Sequence, residues 1–210
     1  MNWQAVFFDF DGVIVDSAPI KTAAFAAMFR PYGEKIEKAV VEYHLEHQGI
    51  SRFEKFRYFY EHILNEPLYD RTLKELGDEF SKLVLEAVIN APYIPGAMET
   101  LVELESMNIP AYVVSGTPEE EIRHIAQRKD LAFFLKNVFG SPRTKDEIIQ
   151  EVLRIEDYMP SKCLFIGDAL TDYYAAQKMQ TCFLGIVMDG QKSPFPDGTW
   201  ISPRVTTRRL

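Results

Sequence analysis

The sequence predicts an α/β fold in which a parallel sheet forms the core and a helical segment interrupts the chain after the first strand. Short apolar runs alternate with amphipathic stretches of helical length, as in successive strand–helix units. Residues 16–91 show helical periodicity without a convincing strand, and acidic or hydroxyl side chains follow directly after several apolar runs. We therefore expect a Rossmann-like core with an inserted four-helix domain.

The predicted strands are short runs of consecutive apolar residues, at residues 4–8, 109–114, 162–166 and 181–187. Consecutive rather than alternating apolar residues are typical of parallel strands, because helices cover both faces of the sheet. Helical spacing of apolar residues predicts helices at residues 97–107, 118–129, 144–155 and 170–179. The last ~15 residues are predicted to be irregular.

The segment after the first strand is predicted to contain four helices, at residues 17–30, 34–47, 51–65 and 70–90. Glycine and proline separate these stretches, as expected between helices. The sequence thus predicts a helical domain at residues 16–91, inserted into a core made of residues 1–15 and 92–210. Hinges are expected near Asp16 and within residues 91–96.

The composition narrows the class of protein. The chain has 210 residues, of which 47% are hydrophobic and 26% charged, and this mixture is typical of a globular protein. A net charge of −8 argues against nonspecific binding to nucleic acid or to an anionic membrane, which need a cationic surface. The start of the chain lacks a signal-peptide pattern, and its two cysteines are expected to be reduced. We therefore predict a cytoplasmic protein that binds neither nucleic acid nor membrane.

Asp9 and Asp11 follow the first predicted strand. Alternation along an extended chain points both side chains to the same side. Two neighbouring carboxylates at the end of a buried strand repel each other, and a divalent cation is the simplest compensation. The alternative is that Asp9 caps a helix and that Asp11 and Gly12 form a turn.

A second pair of acids follows a later strand. Asp168 comes directly after residues 162–166, and Asp172 lies four positions further on, in the first turn of the next predicted helix. Carboxylate oxygens in this arrangement suit a hard cation. The alternative is that either aspartate caps the helix.

Two further positions indicate anion binding. Ser115 and Gly116 end the strand before a helix, where a hydroxyl and backbone N–H groups can hold an anion. Lys145 lies at a junction between a loop and a helix. The alternatives are that Ser115 or Thr117 caps the helix and that Lys145 is an ordinary solvated lysine.

These elements, in this order, resemble the motifs of the haloacid dehalogenase superfamily of phosphohydrolases. Residues 9–13 resemble the first motif, Ser115 the second, Lys145 the third and residues 167–172 the fourth. The helical insert also matches the α-helical cap of that superfamily, so the resemblance covers nearly the whole chain. The subgroup that it resembles contains phosphoglycolate phosphatase and β-phosphoglucomutase.

The resemblance implies a mechanism. Asp9 is expected to be the nucleophile that forms an aspartyl-phosphate, and Asp11 the acid and base that protonates the leaving oxygen and then activates water. Mg²⁺ is the expected cofactor. Its implied ligands are Asp9, the backbone carbonyl of Asp11, Asp168 and, in or just outside the first coordination sphere, Asp172.

The resemblance also implies which groups bind the substrate. Ser115, Lys145 and backbone N–H groups near Gly116 are expected to hold the transferring phosphoryl group. The loop before Arg52 resembles the specificity loop of β-phosphoglucomutase-like members, so Arg52 is expected to contact an anion of the substrate. Lys55 and Arg57 are expected to be solvated, and His44 and His47 to lie on the surface.

These interpretations lead to a Mg²⁺-dependent phosphatase of a small phosphorylated metabolite, active as a monomer or a homodimer. A phosphomutase of the β-phosphoglucomutase type is the nearest alternative. A receiver-like signalling protein or a non-catalytic binding protein is a further one. Receivers place the acceptor aspartate in mid-chain and have no helical insert, whereas Asp9 lies on the first strand.

Overall fold

A computed structural model describes residues 3–208 as a parallel sheet flanked by helices. The strands are Ala5–Phe8 (β1), Ala111–Pro118 (β2), Asn137–Ser141 (β3), Cys163–Gly167 (β4), Cys182–Ile186 (β5) and Ile201–Ser202 (β6). Within the described residues they form one six-stranded sheet in the order β3-β2-β1-β4-β5-β6, and every neighbouring pair is parallel. The predicted α/β class and Rossmann-like sheet are confirmed.

The helices follow the predicted order. The helical insert contains Ala18–Phe29 (α1), Glu34–Glu46 (α2), Arg52–Tyr58 (α3) and Asp70–Asn90 (α4). The helices that pack on the sheet are Ala97–Ser106 (α5), Glu119–Arg128 (α6), Lys145–Ile155 (α7) and Leu170–Met179 (α8). Among the described residues, none of the helices has both the length and the apolar character needed to cross a membrane.

β1 lies in the middle of the sheet, and all four of its residues are buried. Its Phe8 is opposite Val113 of β2 on one side and Ile166 of β4 on the other. Val6 and Phe8 face one hydrophobic core, whereas Phe7 faces the other. Burial on both faces explains why this strand is apolar throughout, and it makes the carboxyl end of β1 a rigid position.

Aromatic side chains hold the helical insert together. Phe25 of α1 has its ring centroid 4.4 Å from that of Phe80 of α4 and 5.7 Å from that of Phe56 of α3. The predicted helix at residues 51–65 is α3 followed by a π-helical segment at Phe59–Leu64. Large buried rings therefore hold the helices of the insert together, within a hydrophobic core that is continuous with one face of the sheet.

The two connections between the insert and the sheet run side by side. The N–H of Asp16 donates to the carbonyl of Pro92 at 2.9 Å, and Val15 pairs with Tyr93 in an isolated antiparallel bridge. The insert is thus attached through two adjacent segments, at the positions where the sequence predicts hinges.

Two strands were not predicted, and one predicted boundary was wrong. β3 is short and contains Asn137 and Gly140, and β6 has only two residues, so neither has an apolar run long enough to indicate a strand. Both acquire their extended conformation by pairing with an existing sheet edge. The strand β2 also continues through Pro118, where the sequence predicted the start of a helix.

The end of the chain is irregular apart from β6, as predicted, and specific contacts hold it against the core. The N–H of Val205 donates to the carbonyl of Pro95 at 2.8 Å, and the hydroxyl of Thr100 donates to the carbonyl of Val205 at 3.1 Å. The Val205 side chain is buried against the core. Arg209 and Leu210, the last residues of the predicted irregular stretch, lie outside the described residues.

We expect Val205→Asp to lower the free energy of unfolding by about 3 kcal/mol, because it places an unpaired carboxylate in the core. Urea denaturation followed by circular dichroism measures this change. Val102→Asp is the matched control, since Val102 is 48% exposed on α5. A similar stability for the two variants would contradict the role of the chain end as part of the core.

Candidate active site

The sheet order brings three of the predicted site residues to one edge. Asp9 follows β1, Ser115 lies near the end of β2, and Asp168 follows β4. Because β1 lies between β2 and β4, and all three strands run in parallel, their carboxyl ends meet at the same place. This edge, where the strand order reverses, is where ligands bind in open α/β sheets.

Three carboxylates converge at this edge and form the carboxylate cluster. Asp9, Asp168 and Asp172 each offer an oxygen atom within 4.8 Å of the others. Lys145 Nζ lies 2.9 Å from Asp9 Oδ2 and 2.5 Å from Asp172 Oδ1. Asp9, Asp172 and Lys145 are all buried, so water screens these charges poorly.

The carboxylate cluster has more negative charge than Lys145 balances. Burial, together with the charges of Asp172 and Asp11, raises the pKa of Asp9 to about 7 despite the opposing effect of Lys145. Burial and the charge of Asp9 raise the pKa of Asp168 well above its ordinary value. Although burial opposes it, the charges of Asp172 and Asp9 raise the pKa of Lys145. A bound cation would offset this excess of negative charge.

The donor set fits a hard divalent cation. The cluster offers carboxylate oxygens and neither thiolate nor imidazole, which favours Mg²⁺ over Zn²⁺. Gly12 keeps the space in front of Asp168 open, because a Cβ atom there would lie 2.2 Å from Asp168 Oδ2. The Gly12 backbone also has φ +78°, a conformation that favours glycine.

Asp11 lies beside the carboxylate cluster, and its carboxylate has its own partners. Ser17 Oγ donates to Asp11 Oδ1 at 2.6 Å, Thr117 Oγ1 donates to Asp11 Oδ2 at 3.2 Å, and Lys21 forms a short ion pair with Asp11 Oδ2. Burial would raise the pKa of Asp11, but the Lys21 ammonium and these hydrogen bonds lower it. A carboxylate held in this way is positioned to exchange a proton with a neighbouring ligand.

The residues predicted to bind the phosphoryl group line a cavity next to the cluster. Ser115, Gly116 and Lys145 share this cavity with Ser141, whose buried hydroxyl has no hydrogen-bond partner among the described residues. A Cβ atom at Gly116 would lie 2.6 Å from the carbonyl oxygen of Gly49, in the insert. The insert therefore closes directly over the end of β2.

Arg52 lines the site, but three of its five N–H donors are already used. Its guanidinium donates to Glu121 Oε1 at 2.5 Å and Glu121 Oε2 at 3.0 Å, and to Ser81 Oγ at 2.8 Å. It also lies 4.6 Å from the centroid of the Phe80 ring. In this conformation Arg52 joins the insert to α6, and its predicted contact with a substrate anion stays a prediction.

Two expectations about the insert were wrong. Lys55 was expected to be solvated and His44 to lie on the surface, yet both are buried, and Lys55 Nζ lies 2.7 Å from His44 Nδ1. Arg57 and His47 are exposed, as predicted. Lys55 has the helical spacing of the buried face of the segment, three positions after Arg52, and this was the signal that could have identified it.

The sequence also missed three polar partners: Lys21, Ser81 and Glu121. Each becomes part of the site through a contact between segments that are distant in sequence. Lys21 lies four residues after Ser17, one helical turn away, so both reach Asp11 from the same face. This helical spacing was a signal available for Lys21 in the sequence.

A cavity lies between the insert and the sheet. Asp9, Asp11 and Asp168 line it from the sheet, and the insert supplies its positively charged groups. Opposite charges thus face each other across a small cavity, as expected for a site that binds an anion together with a cation.

Comparison with known proteins agrees with this geometry. The family profile described as haloacid dehalogenase-like hydrolase matches residues 6–186. The phosphoglycolate phosphatase of Synechococcus elongatus is 27% identical over 179 residues, which cover 84% of this chain and 80% of the relative. The phosphorylated carbohydrates phosphatase of Thermotoga maritima is 26% identical over 183 residues, which cover 83% and 80%.

Solved structures share the fold. A predicted phosphoglycolate phosphatase from Haemophilus somnus has a TM-score of 0.74 at 18% identity, with 96% of this chain and 94% of the other covered. The β-phosphoglucomutase of Clostridium difficile has a TM-score of 0.73 at 20% identity, with 88% and 85% covered. With the profile match across most of the sequence, these similarities establish that the chain belongs to the haloacid dehalogenase-like hydrolases and is a phosphoric monoester hydrolase.

Proposed function

We propose that the protein is a Mg²⁺-dependent phosphatase of a small phosphorylated metabolite, acting through an aspartyl-phosphate on Asp9. The observation that carries this proposal is the arrangement around Asp9. Its carboxylate lies 2.9 Å from Lys145 Nζ, within a cluster of carboxylates, and both Asp9 and Asp11 line the cavity. A proposed nucleophile and a second acid therefore meet at one cavity, and the ammonium paired with the nucleophile lines the neighbouring cavity.

In the first half of the reaction, an oxygen of Asp9 attacks the phosphorus of the substrate. The bond between phosphorus and the leaving oxygen breaks, the electron pair stays on that oxygen, and Asp11 supplies its proton. Lys21 holds the Asp11 carboxylate in place. A bound phosphoryl dianion beside Asp11 opposes the effect of Lys21 on its pKa and favours the protonated acid.

In the second half, Asp11 takes a proton from a water molecule while the oxygen of that water attacks the phosphorus of the aspartyl-phosphate. The bond from phosphorus to Asp9 breaks, and inorganic phosphate leaves. Lys145, the Ser115 hydroxyl and the backbone N–H groups near Gly116 are proposed to bind the phosphoryl oxygens. Their common cavity supports this assignment.

The metal is proposed to be held by Asp9, Asp168, the backbone carbonyl of Asp11 and, in or just outside its first coordination sphere, Asp172. When bound, Mg²⁺ supplies charge compensation for the phosphoryl oxygens and for the carboxylates. The raised pKa values of Asp9 and Asp168 support the need for such a charge.

The relatives suggest the classes of substrate to test. The names of the two similar curated proteins point to 2-phosphoglycolate and to phosphorylated carbohydrates. A phosphomutase is the second candidate, because a β-phosphoglucomutase shares the fold. Product analysis separates the two: release of inorganic phosphate indicates a phosphatase, and an isomeric sugar phosphate indicates a mutase.

The helical insert, residues 16–91, is proposed to act as a domain that opens and closes over the core. The adjacent connections at Asp16 and Pro92 support a hinge at this place. The bidentate pair of Arg52 with Glu121 supports a closed state in which the insert contacts α6. A cytoplasmic location and a monomeric or homodimeric state are likewise predictions.

Asp9→Asn is expected to keep the fold and to lower turnover of 2-phosphoglycolate by about 1,000-fold or more, because an amide is a poor nucleophile toward phosphorus. Phosphate release and circular dichroism measure the two effects. Asp78→Asn, at an exposed position of α4, is the control. Turnover of a folded Asp9→Asn variant within tenfold of wild type would exclude Asp9 as the nucleophile.

Removal of divalent cations with EDTA is expected to abolish phosphate release, and added Mg²⁺ is expected to restore it, because the carboxylate cluster then lacks its counter-charge. Asp168→Asn should raise the Mg²⁺ concentration needed for half-maximal activity. The measurement is a Mg²⁺ titration of the dialysed enzyme. Full activity in EDTA would refute the proposed cofactor.

Arg52→Met is expected to lower the free energy of unfolding by about 3 kcal/mol, because it leaves Glu121 nearly buried without its cationic partner. Urea denaturation measures this change. Arg71→Met is the control, since the pair of Arg71 with Glu75 is exposed and is expected to contribute little. Equal effects of the two substitutions would show that the pair of Arg52 with Glu121 does not hold the insert to the core.

A further inference from the structure

The basic side chains that line the cavity between the insert and the sheet differ in how their charges are balanced. Three lysine or arginine residues line it: Lys21, Arg52 and Lys55. Lys21 is paired with Asp11, and Arg52 is paired with Glu121. Among residues 3–208, no carboxylate lies within ion-pair distance of Lys55. Lys55 is therefore the cavity cation whose charge the described protein leaves uncompensated.

The hydrogen bonds of Lys55 define how its ammonium is held. The hydroxyl of Thr22 donates to the carbonyl of Ala18 at 2.9 Å, so Thr22 Oγ1 accepts the hydrogen bond of 3.1 Å from His44 Nε2. The other ring nitrogen, Nδ1, then lacks a proton and accepts from Lys55 at 2.7 Å. One N–H bond of Lys55 is thus fixed by His44, and two are left for a ligand.

The environment of this ammonium is unfavourable without a ligand. The Lys55 residue is only 3% exposed. Burial and the charge of Lys21 lower the pKa of Lys55 to about 7. Burial and the charge of Lys55 also lower the pKa of His44 to about 3, so the imidazole stays a neutral acceptor. A buried cation of this kind is stabilised by an anion that enters the cavity.

We infer that Lys55 binds a carboxylate at the non-phosphoryl end of the substrate, so that the enzyme selects phosphorylated carboxylic acids. This inference rests on the proposed phosphatase function and names its substrate class. Asp9, the proposed nucleophile that pairs with Lys145, lines the cavity between the insert and the sheet, and Lys55 faces this cavity from the insert. His44 acts as a positioning residue, because it fixes the direction of the ammonium.

A carboxylate suits this subsite better than a second phosphate does. Two remaining N–H groups of a single ammonium match two carboxylate oxygens, whereas a phosphate has more oxygens and more charge to satisfy. The guanidinium of Arg52, whose planar fork would suit a phosphate, is already taken by Glu121. The cations left in the cavity therefore favour a single negative charge.

Two substrates that differ in one group test this inference. 2-Phosphoglycolate and 2-hydroxyethyl phosphate have the same length, and a hydroxymethyl group in the second replaces the carboxylate of the first. The wild-type enzyme should favour 2-phosphoglycolate at least tenfold in kcat/KM. Lys55→Met should reduce this preference about ten- to a hundred-fold, because a charge-assisted hydrogen bond is lost.

Lys74→Met is the matched control, because Lys74 is exposed on α4, and it should leave the preference unchanged. A wild-type preference near one, or a Lys55→Met variant that keeps the full preference, would overturn the inference. The wild-type comparison stands even where the variant does not fold. Hydrolysis of both substrates at equal rates would reject the role of Lys55 and leave the phosphatase in place. Hydrolysis of neither would reject the inferred substrate class, and the proposed function would fail only if phosphorylated carbohydrates were not hydrolysed either.

Discussion

The balance of charge at the carboxyl end of β1 is the constraint on which the rest of the structure depends. Three carboxylates and one ammonium lie within a few ångströms of one another at a site that is largely shielded from water. Such a group is unfavourable unless its geometry is fixed and its charge compensated. The buried centre of the sheet supplies the fixed geometry, and Lys145 supplies part of the compensation. The negative charge that Lys145 does not balance makes the site suitable for a cation, and a bound cation would in turn attract a phosphoryl group.

The helical insert also has charges that need compensation, but here the charges are positive. It places basic side chains over the acidic end of the sheet, and two of the three in the cavity form ion pairs with carboxylates. Lys21 meets Asp11, and Arg52 meets Glu121, so closing the insert over the core also forms ion pairs across the boundary. Among the described residues Lys55 is the exception, and our proposal is that a substrate carboxylate supplies the missing charge. The contacts between the insert and the core thus separate the paired basic side chains, Lys21 and Arg52, from Lys55.

Much of the fold follows from patterns that are local in the chain. The strands β1, β2, β4 and β5, and all the helices from α1 to α8, lie within a few residues of their predicted positions, because apolar runs and helical spacing report burial directly. The three strand-end positions Asp9, Ser115 and Asp168 could be identified as a group for a related reason, whereas Lys145, at the start of α7, was singled out only because it accompanies the other motifs. Parallel strands with short connections bring their carboxyl ends to one edge, so chemistry at several strand ends implies one site.

What the sequence by itself determined is therefore the α/β architecture, the helical insert and the acidic edge of the sheet. Only the tertiary structure decided the partners of the charged groups. β3 and β6 become strands because a sheet edge is available to pair with them, and His44 and Lys55 are buried because α2 and α3 pack on α1. Charge pairing between distant segments leaves no periodic signal in the chain, since it depends on which surfaces meet after folding. The strand-end acids are readable in the sequence, whereas the pairing of the charged groups around them is set by packing.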